Sequence, residues 1–202
     1  STMQATNNNI YQFNKLAHHN SQNWYMAVIN WYIDQYGDLP SKVGPGKDVK
    51  LALDVAAASF YNAEAKTYQF QGKSISSQEM VDYLVGLVDK YEGCMLSIED
   101  GLDENDWDFW PVLTAELTKR DVVTIGDDLF VTQLPRLEKG IATKAATAIL
   151  VKVNQNGSMS GTFDVMKRAR SAGMKCVISH RSGETLDASI ADIAYATGSM
   201  GL

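Results

Sequence analysis

The stretch AILVKVNQNGSMSGTFDVMKRARSAGMKCVISH, residues 148–180, decides the fold of this chain. It opens with the apolar run AILV and closes with a second run, KCVI. Between them Phe163, Met166 and Ala169 recur at the spacing of one helix face, and Gly173 follows where a helix usually ends. Strand, helix and strand in this order predict one unit of a parallel β/α fold.

The same alternation extends upstream. A serine followed by apolar residues at helical spacing predicts a helix in SSQEMVDYLVGLVDKY, residues 76–91. Near-continuous apolar runs of strand length are typical of strands that are covered on both faces. They cover residues 49–56, 94–100, 122–128, 148–154 and 175–180. The fold class predicted is α/β, with parallel strands arranged as a barrel or an open sheet.

The first residues differ from this pattern, and we predict a boundary between residues 1–45 and 46–202. The start, STMQATNNN, is polar, and SQNWYMAVINWYIDQYG then predicts an aromatic-rich helix that ends near Gly37. Turn-forming residues follow in LPSKVGPGKD, and the regular alternation begins after them.

Composition narrows the classes of function. The 202 residues carry a net charge of −6, which argues against nucleic-acid binding because phosphates need a basic surface. Cys94 and Cys176 lie in apolar segments, which is typical of buried thiols in a reducing compartment. We see neither a membrane span nor a secretory signal in the sequence, so we expect a soluble, cytoplasmic protein.

A polar residue stands at the end of each predicted strand, and in a β/α barrel these ends meet at one mouth. Three carboxylates brought together there would repel one another unless a cation such as Mg²⁺ lay between them. A lysine close to such a cation can act as a general base, and nearby donors can hold an anion. The residues are Asp54, Glu99, Asp127, Lys152 and His180, with Arg181 and Ser182 following the last.

Each of these residues also has a plain structural interpretation. An acid after a strand often caps the next helix, a lysine can extend along a strand end, and a histidine can be held by structural hydrogen bonds. The regular series, one polar residue for each predicted unit, favours the site.

Five segments resemble consecutive blocks of enolase, the phosphopyruvate hydratase family of glycolysis. The most specific are LVKVNQ and SHRSGET, and the resemblance covers residues 47–202. It implies a parallel β/α barrel of the enolase type that is incomplete in this chain. The five segments are ALDVAAASFY, LSIEDGLDENDWDFW, IGDDLFVTQLPRLEKGI, ILVKVNQNGSMSGT and VISHRSGETLDASIADIA.

The resemblance implies a role for each strand-end residue in the dehydration of 2-phosphoglycerate to phosphoenolpyruvate. Lys152 would take the C2 proton as catalytic base, with His180 as a second catalytic residue, and Arg181 and Ser182 would hold the phosphate. Asp54, Glu99 and Asp127 would ligate Mg²⁺. The full substrate-binding set implied is Glu99, Asp127, Lys152, His180, Arg181 and Ser182.

The chain also departs from the family. The GDEGG motif, whose glutamate helps to expel hydroxide, is absent from these 202 residues, and AHHNS stands near its expected position. Gly101 replaces the family's proline, and the second active-site lysine would come just after Leu202. A non-catalytic, enolase-like component of a larger assembly is therefore the alternative, and a relative acting on another carboxylate is a weaker one.

The partners follow from the same reasoning. We expect 2-phosphoglycerate as ligand, and a homodimer or packing against the rest of a longer chain or an assembly, because an open barrel exposes strand edges. We expect binding neither to nucleic acid nor to a membrane.

Overall fold

A computed structural model of the protein describes residues 50–202, and all structural statements concern that part. Its strands are β1 (Leu51–Asp54), β2 (Tyr61–Asn62), β3 (Thr67–Phe70), β4 (Lys73–Ser76), β5 (Met95–Glu99), β6 (Val123–Gly126), β7 (Ala148–Val151) and β8 (Lys175–Ile178). Its α-helices are α1 (Ser77–Lys90), α2 (Trp110–Thr118), α3 (Leu134–Thr143), α4 (Val153–Asn156), α5 (Met159–Ser171) and α6 (Ser189–Ala196).

The main sheet has the order β1-β5-β6-β7-β8, and every neighbouring pair is parallel. β6 and β7 are buried along their whole length, as expected for strands covered on both faces. The sheet stays open at β1 and β8 over residues 50–202. The predicted α/β fold with parallel strands is confirmed, and in this part of the chain the barrel is not closed.

Helix α1 begins where the sequence indicates. The Ser76 hydroxyl accepts a hydrogen bond from the Glu79 N–H, and the Glu79 carboxylate accepts one from the Ser76 N–H, so two otherwise unpaired donors are satisfied. Met80 and Leu84 then fill the core beneath the helix.

Helix α5 also forms as predicted, and Gly173, with a φ of 79°, follows its end. Met166 and Ala169 are buried, but Phe163, which shares their helical spacing in the sequence, is 43% exposed. Thr162 occupies the buried face instead, because the buried stripe runs from Thr162 through Met166 to Ala169.

A small antiparallel sheet, β2-β3-β4, was not anticipated from the sequence. Its buried Tyr68 donates a hydrogen bond to the Asp106 carboxylate (2.8 Å) and accepts one from the Asp103 N–H (2.9 Å). The Trp110 indole donates to the Asp103 carbonyl (2.9 Å). The segment that follows β5 is therefore fixed on one side by the small sheet and on the other by α2.

The remaining predictions about the chain have mixed outcomes. Both cysteines are free, and Cys176 is buried as expected, whereas Cys94 is only partly buried. The boundary at residues 45 and 46 and the aromatic helix lie outside the described residues and stay predictions. Between residues 50 and 202 we find no helix with the length and apolar character needed to cross a membrane.

Candidate active site

The carboxyl ends of the main-sheet strands bring the predicted polar residues to one edge. Asp54 and Glu99 are the last residues of β1 and β5 and stand opposite each other in the register of the two strands. Asp127 and Lys152 come directly after β6 and β7. In parallel α/β sheets this edge is where active sites form.

Lys152 and Asp127 form a partly buried ion pair, in which the Lys152 ammonium donates to one oxygen of the Asp127 carboxylate. The second oxygen, Asp127 Oδ1, is buried and has no hydrogen-bond partner. Because a buried carboxylate oxygen without a partner is costly, this atom suits a ligand that supplies positive charge.

Burial and neighbouring charges change the protonation of the cluster. The pKa of Glu99 is raised to about 8, and burial is the largest cause. The negative charges of Asp54, Asp127 and Asp100 also raise this pKa, whereas the positive charge of Lys152 lowers it. Burial also raises the pKa of Asp127, although its bond to Lys152 acts in the opposite direction. Crowded carboxylates of this kind hold protons until a cation replaces them.

Asp54 is the exposed member of the group. Its carboxylate accepts a hydrogen bond from the Ala56 N–H (3.1 Å), and it contributes to the electrostatic field at both Glu99 and Asp127. The structure thus brings together four of the predicted residues: Asp54, Glu99, Asp127 and Lys152.

A second group of acids shares Asp127. Asp100, Asp127 and Asp128 each place one carboxylate oxygen within 4.8 Å of the others, a spacing that could hold a metal ion. Burial raises the pKa of Asp100 to about 7, against the hydrogen bonds it accepts from the Asp128 and Asp127 backbone. Asp100 and Asp128 are not among the residues predicted from the sequence, although the doubled acids in IED and GDD were a visible signal.

Thr132 was missed altogether. It is fully buried, and its hydroxyl accepts a hydrogen bond from the Lys152 N–H (3.0 Å) and donates one to the Gln155 side chain (3.1 Å). Thr132 therefore fixes the backbone from which the Lys152 side chain extends.

His180, Arg181 and Ser182 follow β8 and are exposed. The Ser179 N–H donates to the Val151 carbonyl (2.9 Å), which brings this segment beside Lys152, and the Arg181 N–H donates to Glu184 (2.8 Å). Within residues 50–202, no hydrogen bond joins the side chains of His180, Arg181 or Ser182 to the acidic cluster. His18 and His19, in the segment set against the family's GDEGG, lie outside the described residues.

The oxygen donors and the unpartnered Asp127 Oδ1 fit a hard divalent cation such as Mg²⁺. A parallel β/α sheet with carboxylates and a lysine at the carboxyl ends of its strands is typical of α/β proteins that bind their ligands at that edge. The family model described as the enolase C-terminal TIM barrel domain matches residues 33–201. The chain therefore belongs to the enolase family, and the match begins upstream of the motifs that carry the resemblance.

Proposed function

We propose that the protein dehydrates 2-phosphoglycerate to phosphoenolpyruvate, as a Mg²⁺-dependent lyase of cytoplasmic glycolysis. The observation that carries the proposal is the partly buried pair of Lys152 and Asp127 among the carboxylates at the strand ends. The pair joins the candidate base to the candidate metal site.

The reaction needs a base at C2 of the substrate. In the proposal, neutral Lys152 takes the C2 proton, the C–H electron pair becomes the C2–C3 double bond, and the C3–O bond breaks with its electron pair on the departing hydroxide. The hydroxide takes up a proton from solvent and Lys152 later releases its own, so the net product is one water molecule. Lys152, which donates to Asp127, must first lose a proton, because an ammonium group has no lone pair with which to accept one.

Asp54, Glu99 and Asp127 would hold the Mg²⁺, which would supply positive charge for the carboxylate of the substrate. His180, Arg181 and Ser182 would contact the substrate, with the last two on its phosphate, because guanidinium and hydroxyl groups donate well to phosphate oxygens. The homodimer, or packing against the rest of a longer chain or an assembly, is part of the proposal as well.

The test is phosphoenolpyruvate formation from 2-phosphoglycerate, followed by ultraviolet absorbance in the complete protein that carries this sequence. We expect turnover with Mg²⁺, its loss in excess chelator, and a fall of about 10²–10⁴-fold in Lys152→Ala. Lys175→Ala is the matched control, because Lys175 is exposed and begins β8 at the opposite edge of the sheet.

Wild-type turnover in a folded Lys152→Ala variant would contradict the role of this lysine. A folded wild-type protein that makes no phosphoenolpyruvate would instead favour the non-catalytic, enolase-like component.

A further inference from the structure

Asp100 occupies an unusual position next to the candidate metal site. It is 6% exposed, and its φ of 40° lies in the left-handed region that residues other than glycine seldom adopt. Its carboxylate accepts two hydrogen bonds from consecutive backbone N–H groups, those of Asp127 and Asp128, each at 2.9 Å. The Asp100 side chain, directly after β5, therefore fixes the turn after β6.

The backbone of Asp100 is also hydrogen-bonded to the chain segments on both sides of β5. Its N–H donates to the Ile125 carbonyl in β6 (3.1 Å), and its carbonyl accepts from the Ala57 N–H, just beyond β1 (3.1 Å). The neighbouring Glu99 carbonyl accepts from the Val55 N–H (3.0 Å). Asp100 is thus bonded to the segments that carry Asp54 and Asp127, and it is covalently joined to Glu99.

We propose that Asp100 is a positioning residue: its hydrogen bonds fix the segments that carry Asp54, Glu99 and Asp127 relative to one another, and so orient these carboxylates for a divalent cation. The inference rests on the proposed function for the identity of the metal ligands. Each Asp100 oxygen accepts a backbone N–H, which fixes the orientation of the carboxylate and of the turn that carries Asp127. Groups that orient metal ligands in this way typically contribute 10–100-fold to metal affinity.

The decisive variant is Asp100→Asn. Asparagine tolerates a positive φ, but its amide offers one acceptor oxygen, so one of the two N–H groups would face an NH₂ donor instead. Asp121→Asn is the matched control, because Asp121 is exposed and has a φ of 60°. It repeats the same chemical change at a left-handed aspartate away from the site.

Two measurements on the complete protein separate positioning from stability. Calorimetric titration with Mg²⁺ should show a dissociation constant about 10–100-fold higher in Asp100→Asn and unchanged in Asp121→Asn. Amide hydrogen exchange in excess chelator should be faster at Asp127 and Asp128 in Asp100→Asn alone. A group that acted only as a metal ligand would leave the exchange rates in chelator unchanged.

Wild-type Mg²⁺ affinity in Asp100→Asn would overturn this inference and leave the proposed function intact. A wild-type protein that binds no Mg²⁺ would overturn the proposed function, and this inference with it. If Asp100→Asn does not fold, amide hydrogen exchange in the wild-type protein tests the hydrogen bond to Asp100 directly. Since Asp128 is exposed, slow exchange of its N–H would support the bond to Asp100, and exchange at the unprotected rate would overturn it.

Discussion

Glu99 keeps its proton at a pH where an exposed glutamate has lost it. Burial is the first cause, and the carboxylates of Asp54, Asp127 and Asp100 are the next. Without a cation, the folded protein therefore favours the protonated acid, because the pKa of Glu99 is about 8, whereas the ordinary pKa of a glutamate in an unfolded chain is 4.5. The unfolded state releases this proton first as the pH rises.

The sign of the resulting pH dependence follows from linkage. Between pH 5 and 8 the folded protein binds more protons at Glu99 than the unfolded chain does, so its free energy of unfolding should fall as the pH rises. Asp100, with a pKa of about 7, acts in the same direction. Urea unfolding in excess chelator at several pH values measures the slope.

Glu99→Gln is the variant that tests this assignment. Glutamine does not titrate, so we expect a shallower slope than in the wild-type protein, while Glu64→Gln, at an exposed glutamate, should leave the slope unchanged. Equal slopes in wild type and Glu99→Gln would show that Glu99 does not carry the pH dependence.

At the scale of single residues, the sequence predicts those whose role is decided by their position along a strand. Asp54, Glu99, Asp127 and Lys152 could be predicted because parallel strands bring their carboxyl ends to one edge. Thr132 could not, since its bond to the Lys152 N–H spans 20 positions and depends on how two loops meet. For His180, Arg181 and Ser182, the resemblance predicts roles that stay predictions.

Helix α3 packs closely against the turn after β6. A Cβ atom on Gly140 would lie 2.3 Å from Phe130 Cε1, and Phe130 is itself fully buried. The ring has no free space to move into, because a second Cβ, on Gly126, would also lie 2.8 Å from it. The packing of Phe130 thus requires glycine on both β6 and α3.

Two glycine-to-alanine changes separate packing from helix propensity. In Gly86→Ala, on the exposed face of α1, the new Cβ meets nothing within 4 Å, so the free energy of unfolding should rise by up to about 1 kcal/mol. Gly140→Ala should lower it by about 1–3 kcal/mol, because overpacking outweighs the same gain in propensity. Chemical denaturation of both variants measures the difference, and a stabilised Gly140→Ala would contradict the packing argument.

At the scale of elements, regular patterns were predictable and short irregular ones were not. The strands of the main sheet and helices α1 and α5 follow from apolar runs, caps and helical spacing. Strands β2, β3 and β4 span only two to four residues each, too few for an alternation to stand out. They are stabilised by Tyr68, whose partners Asp103 and Asp106 lie more than 30 positions away.

At the scale of the molecule, the candidate metal site joins separate strand ends of an open sheet. Asp54, Glu99 and Asp127 come from the ends of β1, β5 and β6, so an ion bound to all three would link the edge strand β1 to the buried strand β6. Unfolding would separate these ligands and release the ion. Metal binding and global stability should therefore be coupled.

The coupling predicts a Mg²⁺-dependent shift in thermal unfolding. A ligand that binds only the folded state at 100 times its dissociation constant stabilises a protein by about 2.7 kcal/mol, so the midpoint should rise by several degrees in saturating Mg²⁺. Asp127→Asn should lose most of the shift, because it weakens the ligand that both acidic groups share. NaCl at equal ionic strength controls for the screening of charges. If the midpoint of thermal unfolding of the wild-type protein rises equally in NaCl and in Mg²⁺, the three strand ends bind no specific ion.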